Sequence, residues 1–192
     1  PRPPAPHGEE AEDPLEEPEA IRIDQEQDRF DFTAAWSNLG GIVDSVLLRA
    51  AYNEYQHAEL EGAEVGTLFE QTGLDTRLHV GHAPVAGWAG TLGVQYTDTD
   101  LDAFGAEAYI PPSQTEALSL FLLERRQFDR LTVDLGGRLE SQDVDTEAAL
   151  RDYSGTAFTL AGGLLWAFDD ALTGALQITR SERHPQAAEL YA

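Results

Sequence analysis

The sequence predicts an all-β fold, an antiparallel up-and-down meander of about eight long strands that forms part of a transmembrane β-barrel. Apolar residues recur at every second position over long runs, as they do on strands that turn one face to an apolar medium. Tight turns alternate with long acidic segments, and large aromatic residues lie beside the turns. No apolar run approaches the roughly 18 residues of a transmembrane helix, so any membrane crossing must use strands.

Composition excludes two kinds of chemistry. The chain has 192 residues, with 12 Lys and Arg against 35 Asp and Glu, a formal net charge of −23 and no Cys. Nucleic-acid binding requires a basic surface, so we expect no nucleic-acid partner. Without Cys the chain forms no disulfide and carries no thiol chemistry. The negative charge is compatible with a protein that collects cations, but taken by itself it favours plain solubility.

The chain divides into two regions by composition. Residues 1–19 are rich in Pro and carboxylates and cannot bury a core, so we expect a mobile extracellular loop there. Residues 20–192 carry the alternating pattern and form the partial β-barrel. The sequence contains no Met, from which we expect a fragment of a longer protein.

Eight runs of alternating residues follow one another, at 29–36, 48–53, 74–80, 88–96, 115–125, 131–140, 158–168 and 172–179. The sixth is the clearest, with Leu131, Val133 and Leu135 on one face and Asp134 and Arg138 on the other. A barrel strand has this pattern because one face meets lipid and the other meets a wet lumen. The faces of the fifth run are ambiguous, and a short buried helix remains open there.

Turns and longer segments alternate between these runs. Tight turns are predicted near Gly40, Ala86, Asp129 and Asp170. Acidic, polar segments lie between them at 58–66, 98–112 and 141–152. An outer-membrane barrel has this asymmetry, with short periplasmic turns and long extracellular loops.

Aromatic residues lie beside the tight turns, at Trp36, Trp88, Phe128, Trp166 and Phe168. This is where an aromatic girdle at the periplasmic interface would fall. The alternative is that these rings close the core of a soluble sheet at its strand ends.

The end of the chain resembles a known family. The segment RSERHPQAAELYA at 180–192 resembles the R-x-x-R-x-P-x-x-x-E-L-Y-A motif of TonB-dependent outer-membrane receptor barrels. Shorter segments continue the resemblance in order, toward the subgroup similar to zinc and haem receptors: IDQ at 23–25, RFD at 29–31, YQHAELEG at 55–62, GVQY at 93–96, PPSQT at 111–115 and LGGRLE at 135–140. The resemblance covers nearly all of 20–192.

This resemblance implies a receptor in the outer membrane of a Gram-negative bacterium, and not an enzyme. It implies TonB-dependent uptake of a metal ion or metal complex, with zinc, haem or an iron siderophore as cargo. Such receptors close a barrel of roughly 22 strands around an N-terminal plug domain. The implied partners are outer-membrane lipid, the TonB complex through the plug, and the metal ion or chelate. No plug or TonB box is recognisable, so we expect a fragment that lacks the plug and the C-terminal strands.

One set of candidate metal ligands lies at the predicted external end of the second strand. Tyr55, His57, Glu59 and Glu61 are spaced by two, so they share the lumenal face if the strand continues that far. Glu64 lies close in sequence and could join them. An imidazole with carboxylates can bind zinc or another divalent cation. The plainer interpretation is a solvated loop base.

A second candidate lies in the acidic N-terminal region, where His7 stands beside Glu9 and Glu10. Such a loop could capture cations, because a negative field raises their local concentration. An ordinary solvated charge run is the alternative. The subgroup's loops are often rich in His and this one is not, which weakens the specific case for zinc. No resident cofactor is required, and a bound zinc or other divalent ion would be a substrate.

Three other interpretations compete with a receptor. A small closed eight-stranded outer-membrane barrel with a binding or structural role requires the eighth strand to pair with the first. An enzyme built into a barrel would need a Ser–His or Asp–His pair at the external rim, and no such pair converges in the sequence. A soluble β-sandwich would bury its apolar faces against a second sheet.

Overall fold

The structure is a computed structural model of the 192-residue chain, and it describes residues 21–62, 64–105, 108–146 and 150–191. These residues form eight strands and a short helix: β1 (Ile21–Ser37), β2 (Val43–Glu61), β3 (Glu64–Val85), β4 (Trp88–Gly105), β5 (Ser113–Phe128), β6 (Leu131–Thr146), β7 (Tyr153–Ala167), β8 (Thr173–Ser181) and α1 (Ala187–Tyr191). The all-β prediction is confirmed, and the fifth run is strand β5 rather than a helix. Within the described residues, no helix is long and apolar enough to cross a membrane.

Each strand pairs antiparallel with the next one along the chain, so the sheet is a continuous up-and-down meander. Between β1 and β2 every residue has a partner, from Ile21 opposite Glu61 to Ser37 opposite Ser45. Within the described ranges β8 pairs only with β7, and β1 pairs only with β2. The sheet is therefore open. This argues against the small closed barrel, which required β8 to pair with β1.

One side of the sheet is apolar across its width. Directly opposed residues on neighbouring antiparallel strands point to the same side of the sheet. The register therefore shows which positions of every strand lie on the same face. One such row crosses β1 to β7 through Ala34, Leu48, Leu78, Val94, Leu120, Leu139 and Phe158. We name the side that carries this row the outer face, and the opposite side the inner face.

No second layer of described residues covers the outer face. Phe30, Leu120, Leu160 and Ile178 are 68, 55, 57 and 69% exposed. The buried hydrophobic side chains of the described residues all lie elsewhere, at Ala103, Ile110, Ala117, Val144 and Ala157. A water-soluble monomer seldom exposes apolar surface on this scale. The outer face therefore fits contact with lipid, and a soluble sandwich does not account for it.

Aromatic side chains edge the apolar band at the end of the sheet where the short turns lie. Trp36 lies near the end of β1, Trp88 begins β4, and Phe128 ends β5. Trp166, near the end of β7, stacks on Phe168 with ring centroids 6.1 Å apart. These positions agree with the predicted girdle at one membrane interface.

The short turns require backbone conformations that few residues adopt. Ala86 and Gly87 join β3 to β4 with φ angles of 52° and 83°. Two consecutive positive φ angles are the pattern of a type I′ hairpin turn, whose twist matches that of the strands. Asp129, between β5 and β6, has a φ angle of 44°. The strand bounds place turns at all four predicted positions.

At the opposite end, the strands run farther than the sequence suggested. The segment 58–66 was expected to be a loop, but it belongs to β2 and β3 apart from the connection at 62–63. β3 has 22 residues, whereas roughly 9 to 11 are enough to span a bilayer. Extending a paired ladder satisfies the backbone groups that a loop would leave to water. Longer connections remain at 106–112 and 147–152.

The proposed division of the chain stays a prediction. Residues 1–19 lie outside the described residues, which begin at Ile21 with the first residue of β1. The strands that follow occupy most of the region 20–192 that was assigned to the barrel.

Replacing Ile178 with Arg should destabilise the protein in a bilayer by about 2–4 kcal/mol, because this outer-face position meets lipid. Gln177→Arg is the matched control, since Gln177 is its exposed neighbour on the inner face of β8. This control should change stability by no more than about 0.5 kcal/mol. Urea unfolding of the full-length protein in lipid vesicles measures both. Equal losses would contradict the assignment of the two faces.

Candidate functional site

The middle of the inner face is held by a hydrogen-bonded network centred on Gln95. This residue lies on β4 and is 8% exposed. Its amide nitrogen donates to both carboxylate oxygens of Asp75 on β3, at 3.0 and 3.1 Å. Its amide oxygen accepts from Arg77 on β3 and from Arg138 on β6, the latter at 3.1 and 3.2 Å. One amide therefore ties three strands together through their side chains.

The network continues onto β5. Arg138 donates to the Ser119 hydroxyl at 2.7 Å and forms an ion pair with Glu140. The Ser119 hydroxyl donates to the Glu140 carboxylate at 3.1 Å, and Ser119 is only 2% exposed. A buried polar group without a partner costs roughly 1–3 kcal/mol. Apart from the Nε atom of Arg77, which is buried without a hydrogen-bond partner among the described residues, these groups satisfy one another, and the network holds the inner wall in one arrangement.

The segment that follows β8 returns to this wall through His184, which is 7% exposed. Its Nε2 lies 3.3 Å from the backbone oxygen of Glu140, and its Nδ1 lies 3.0 Å from the Tyr153 hydroxyl. A carbonyl oxygen only accepts, so Nε2 donates to Glu140 and, in that tautomer, Nδ1 accepts from Tyr153. The alternating pattern of the strands contained no signal for this contact, because His184 lies beyond the last strand.

Two further hydrogen bonds fasten the same segment. Gln142 on β6 donates its side-chain amide to the backbone oxygen of Pro185 at 3.0 Å. The Tyr191 hydroxyl donates to the backbone oxygen of Arg151 at 3.1 Å. Val144, whose backbone oxygen is 3.5 Å from the same hydroxyl, is completely buried. The residues after β8 therefore lie along β6 and the start of β7 rather than extending into solvent.

A charged contact shapes the turn that carries His184. The Glu189 carboxylate accepts two hydrogen bonds from Arg183, both at 2.7 Å, and one from the backbone nitrogen of Gln186 at 3.0 Å. These bonds, the Arg183 contact foremost, lower the pKa of Glu189 to about 2. Arg183 and Glu189 are the second Arg and the Glu of the motif at 180–192. Their role in this structure is to close that turn against the wall.

The predicted metal ligands of β2 lie toward the end of the sheet opposite the short turns. Tyr55, His57 and Glu59 alternate along the strand on the inner face, as their spacing predicted. The His57 ring stacks on Phe69 of β3, with centroids 4.5 Å apart and 20° between the planes. The Tyr55 ring lies 5.5 Å from it. The Nδ1 atom of His57 is buried and has no hydrogen-bond partner among the described residues.

Of the five remaining candidate ligands, only Glu61 and Glu64 lie within the described residues. Glu61 and Glu64 lie directly opposite one another in the backbone register at the end of the β2–β3 hairpin. His7, Glu9 and Glu10 lie outside the described residues. Within the described ranges, no group of three or more acidic or His side chains is close enough to hold a metal ion. Both metal sites therefore stay predictions.

Comparison with protein families agrees with this geometry. The family model described as TonB dependent receptor-like, beta-barrel, matches residues 14–192. The chain belongs to the TonB-dependent receptor β-barrel family. Receptors of this family are transporters rather than enzymes, and they carry ligands across the outer membrane in a TonB-dependent manner. The resemblance at 180–192 is confirmed at the level of the family.

Because the chain belongs to the receptor family, the two faces of the sheet can be assigned to lipid and lumen, and its two ends to the periplasmic and external sides. The outer face meets outer-membrane lipid, and the short turns lie on the periplasmic side. The inner face lines the lumen of the receptor barrel, so the Gln95 network is part of the lumenal wall. His57 and Glu59 lie near the external end of that wall.

The contact between Arg183 and Glu189 predicts a specific titration. A carboxyl whose folded pKa is lowered contributes stability above its unfolded pKa and loses it as pH falls through the folded value. This contribution should therefore decline only between about pH 4.5 and pH 2. NMR of 13C-labelled Glu side chains in the micelle-bound receptor should show a titration midpoint of about 2 for Glu189.

Arg183→Gln should bring the Glu189 midpoint back toward 4.5, the ordinary value for this carboxyl. Arg180→Gln is the control, because the ion-pair partner of Arg180 is Glu182, and it should leave the midpoint of Glu189 where it was. A Glu189 midpoint that does not move in Arg183→Gln would contradict the contact.

Proposed function

We propose that this receptor barrel takes up a metal ion or a metal complex, with zinc or haem iron as the favoured cargoes. In this proposal the barrel closes around an N-terminal plug domain through which the TonB complex acts. The observation that carries the proposal is the position of His57, an imidazole on the lumenal wall near its external end. Imidazole and carboxylate groups are common ligands of zinc and of other divalent transition metals.

The surroundings of His57 suit a ligand. Its ring is oriented by stacking on Phe69, and its Nδ1 atom has no partner within the described residues. Glu59 lies two residues farther along the same face of β2, and Glu64 begins β3 across the hairpin. Glu61 lies directly opposite Glu64 in the backbone register. One imidazole with a few carboxylates binds weakly, so we expect other parts of the receptor to complete the ligand set.

Negative charge at the external ends of the strands supports the capture of cations. Beyond the apolar band, the outer-face positions of β1 to β6 carry carboxylates at Asp24, Glu26, Asp28, Glu54, Glu70, Asp98, Asp100, Asp102, Glu116, Asp143 and Asp145. A dense array of one sign raises the local concentration of ions of the opposite sign. His7, Glu9 and Glu10 would add to this field from the N-terminal region.

Replacing His57 with Phe should keep an aromatic ring against Phe69 while removing both ring nitrogens. Zinc binding to the full-length receptor, measured by isothermal titration calorimetry, should weaken at least tenfold, or about 1.4 kcal/mol. Tyr55→Phe is the control on the same face, because it removes a hydroxyl and leaves His57 in place. Unchanged zinc affinity in His57→Phe would remove this residue from the proposed site.

Growth of a strain that lacks the gene, under separate limitation for zinc, iron and haem, tests the class of cargo. A deficit under one condition, restored by the wild-type gene, identifies the metal or complex that the receptor takes up. Normal growth and uptake under all three conditions would overturn metal transport as the proposed function.

A further inference from the structure

Three ionisable side chains lie on the outer face at its periplasmic edge, His82 on β3 with Glu124 and Arg126 on β5. They share that edge with Trp88, which lies directly opposite Arg126, and with Phe128. A charged group on a lipid-facing surface is costly unless it reaches the headgroup layer or finds a partner. The contacts of these three side chains therefore determine what this edge can bind.

Glu124 has one carboxylate oxygen that is engaged and one that is not. Its Oε1 lies 2.9 Å from Nε2 of His82, whose Nδ1 lies 2.9 Å from the backbone oxygen of Ala83. The other oxygen, Oε2, is buried and accepts no hydrogen bond from a described residue. It lies over Gly90, where a Cβ atom would be only 2.8 Å away. Gly90 therefore lets the carboxylate reach across β4 to His82, and the second oxygen still lacks a donor.

Arg126 is held in place without an anion. Its guanidinium carbon lies 4.4 Å from the centroid of the Phe128 ring, in a cation–π contact. Its Nε atom would be 3.1 Å from a Cβ atom at Gly87, so the side chain lies against the turn between β3 and β4. Arg126 forms no ion pair or hydrogen bond with a described residue, and this includes Glu124 on the same face of its own strand.

An unsatisfied acceptor and an unpaired cation thus lie two residues apart on one face of β5. Alternate residues on a strand are roughly 6.6 Å apart, which suits one small group that carries both charges. A phosphate can accept two parallel hydrogen bonds from a guanidinium group, and a primary ammonium donates charge-assisted hydrogen bonds to a carboxylate. Phosphoethanolamine carries both groups on one short linker.

We infer that Glu124 and Arg126 bind the headgroup of a phosphatidylethanolamine molecule in the periplasmic leaflet. The phosphate lies on Arg126, and the ammonium donates to Oε2 of Glu124. A choline headgroup has the same phosphate but no N–H group, so it satisfies Arg126 and leaves Glu124 without a donor. Arg126 therefore retains the lipid, and Glu124 selects its headgroup. The site depends on the outer face meeting lipid and is independent of the cargo.

Native mass spectrometry of the full-length receptor in detergent tests the site, with phosphatidylethanolamine and phosphatidylcholine of identical acyl chains as the two probes. The wild type should bind phosphatidylethanolamine about tenfold more tightly, because only this lipid donates to the carboxylate. Glu124→Gln should remove most of that preference by weakening phosphatidylethanolamine alone. Arg126→Gln should weaken both lipids by about tenfold, because it removes the phosphate contact that they share.

Two variants serve as matched controls. Arg125→Gln removes an arginine next to Arg126 but on the inner face, and Glu116→Gln removes an outer-face carboxylate at the external end of the same strand. Both should leave the binding of the two lipids unchanged.

Equal binding of the two lipids by the wild type would overturn the site, and this result does not depend on how any variant folds. A preference for phosphatidylethanolamine that persists in full in Glu124→Gln would also overturn it. So would a loss of lipid in Arg125→Gln as large as that in Arg126→Gln, since the effect would then not belong to the outer face.

Discussion

Backbone hydrogen bonding in hydrocarbon is the constraint on which the rest of this structure depends. A peptide group in lipid has no water to bond, so a strand can cross only if a neighbour pairs with its backbone. The eight strands satisfy this with registers that shift at three places, between Val43 and Ser45, between Glu59 and Leu60, and between His82 and Val85. All three lie near strand ends. The register is thus regular across the apolar band, where an unpaired group would cost most.

Continuous pairing also commits each side chain to one face, and in the middle of the sheet the polar network lies on the inner one. The row through the middle of the outer face carries Leu, Val and Phe because it meets lipid, whereas the inner face holds the Gln95 network and, nearer its external end, His57. The segment after β8 adds His184 and Tyr191 to the same side, so the wall is built partly from residues that belong to no strand.

The period-two alternation predicted seven of the eight strands together with their faces, because side chains on a strand alternate between its two sides. It failed at β5, where Leu118 to Leu123 are all apolar except Ser119. The register resolves this case: Leu120 lies opposite Val94 and Leu139 on the outer face, whereas Ser119 lies opposite Gln95 and Glu140 on the inner face. The faces of β5 therefore follow from its pairing with β4 and β6 and not from its own sequence.

The candidate site could be predicted only in part. Spacing placed His57 and Glu59 on one face, but the stack on Phe69 depends on which residue of β3 lies opposite, and the bulge beside Glu59 alters that register. The Gln95 network joins residues far apart in sequence, and the burial of His184 depends on a segment that reverses after β8. Neither follows from periodicity. The motif at 180–192 resembled the family in that segment. The structure adds that Arg183 and Glu189 of the motif form an ion pair with one another.

The most direct test of the account uses the absence of cysteine from the chain. A nitroxide is attached to a single introduced Cys at each position from 131 to 140 of β6, in the full-length receptor in bilayers. Electron paramagnetic resonance then measures collisions with oxygen, which concentrates in lipid, and with a water-soluble nickel complex. If the odd positions face lipid, collisions with oxygen should be most frequent at 131, 133, 135, 137 and 139, with minima between them. Low accessibility to both reagents at those odd positions, as in a packed protein core, would contradict it.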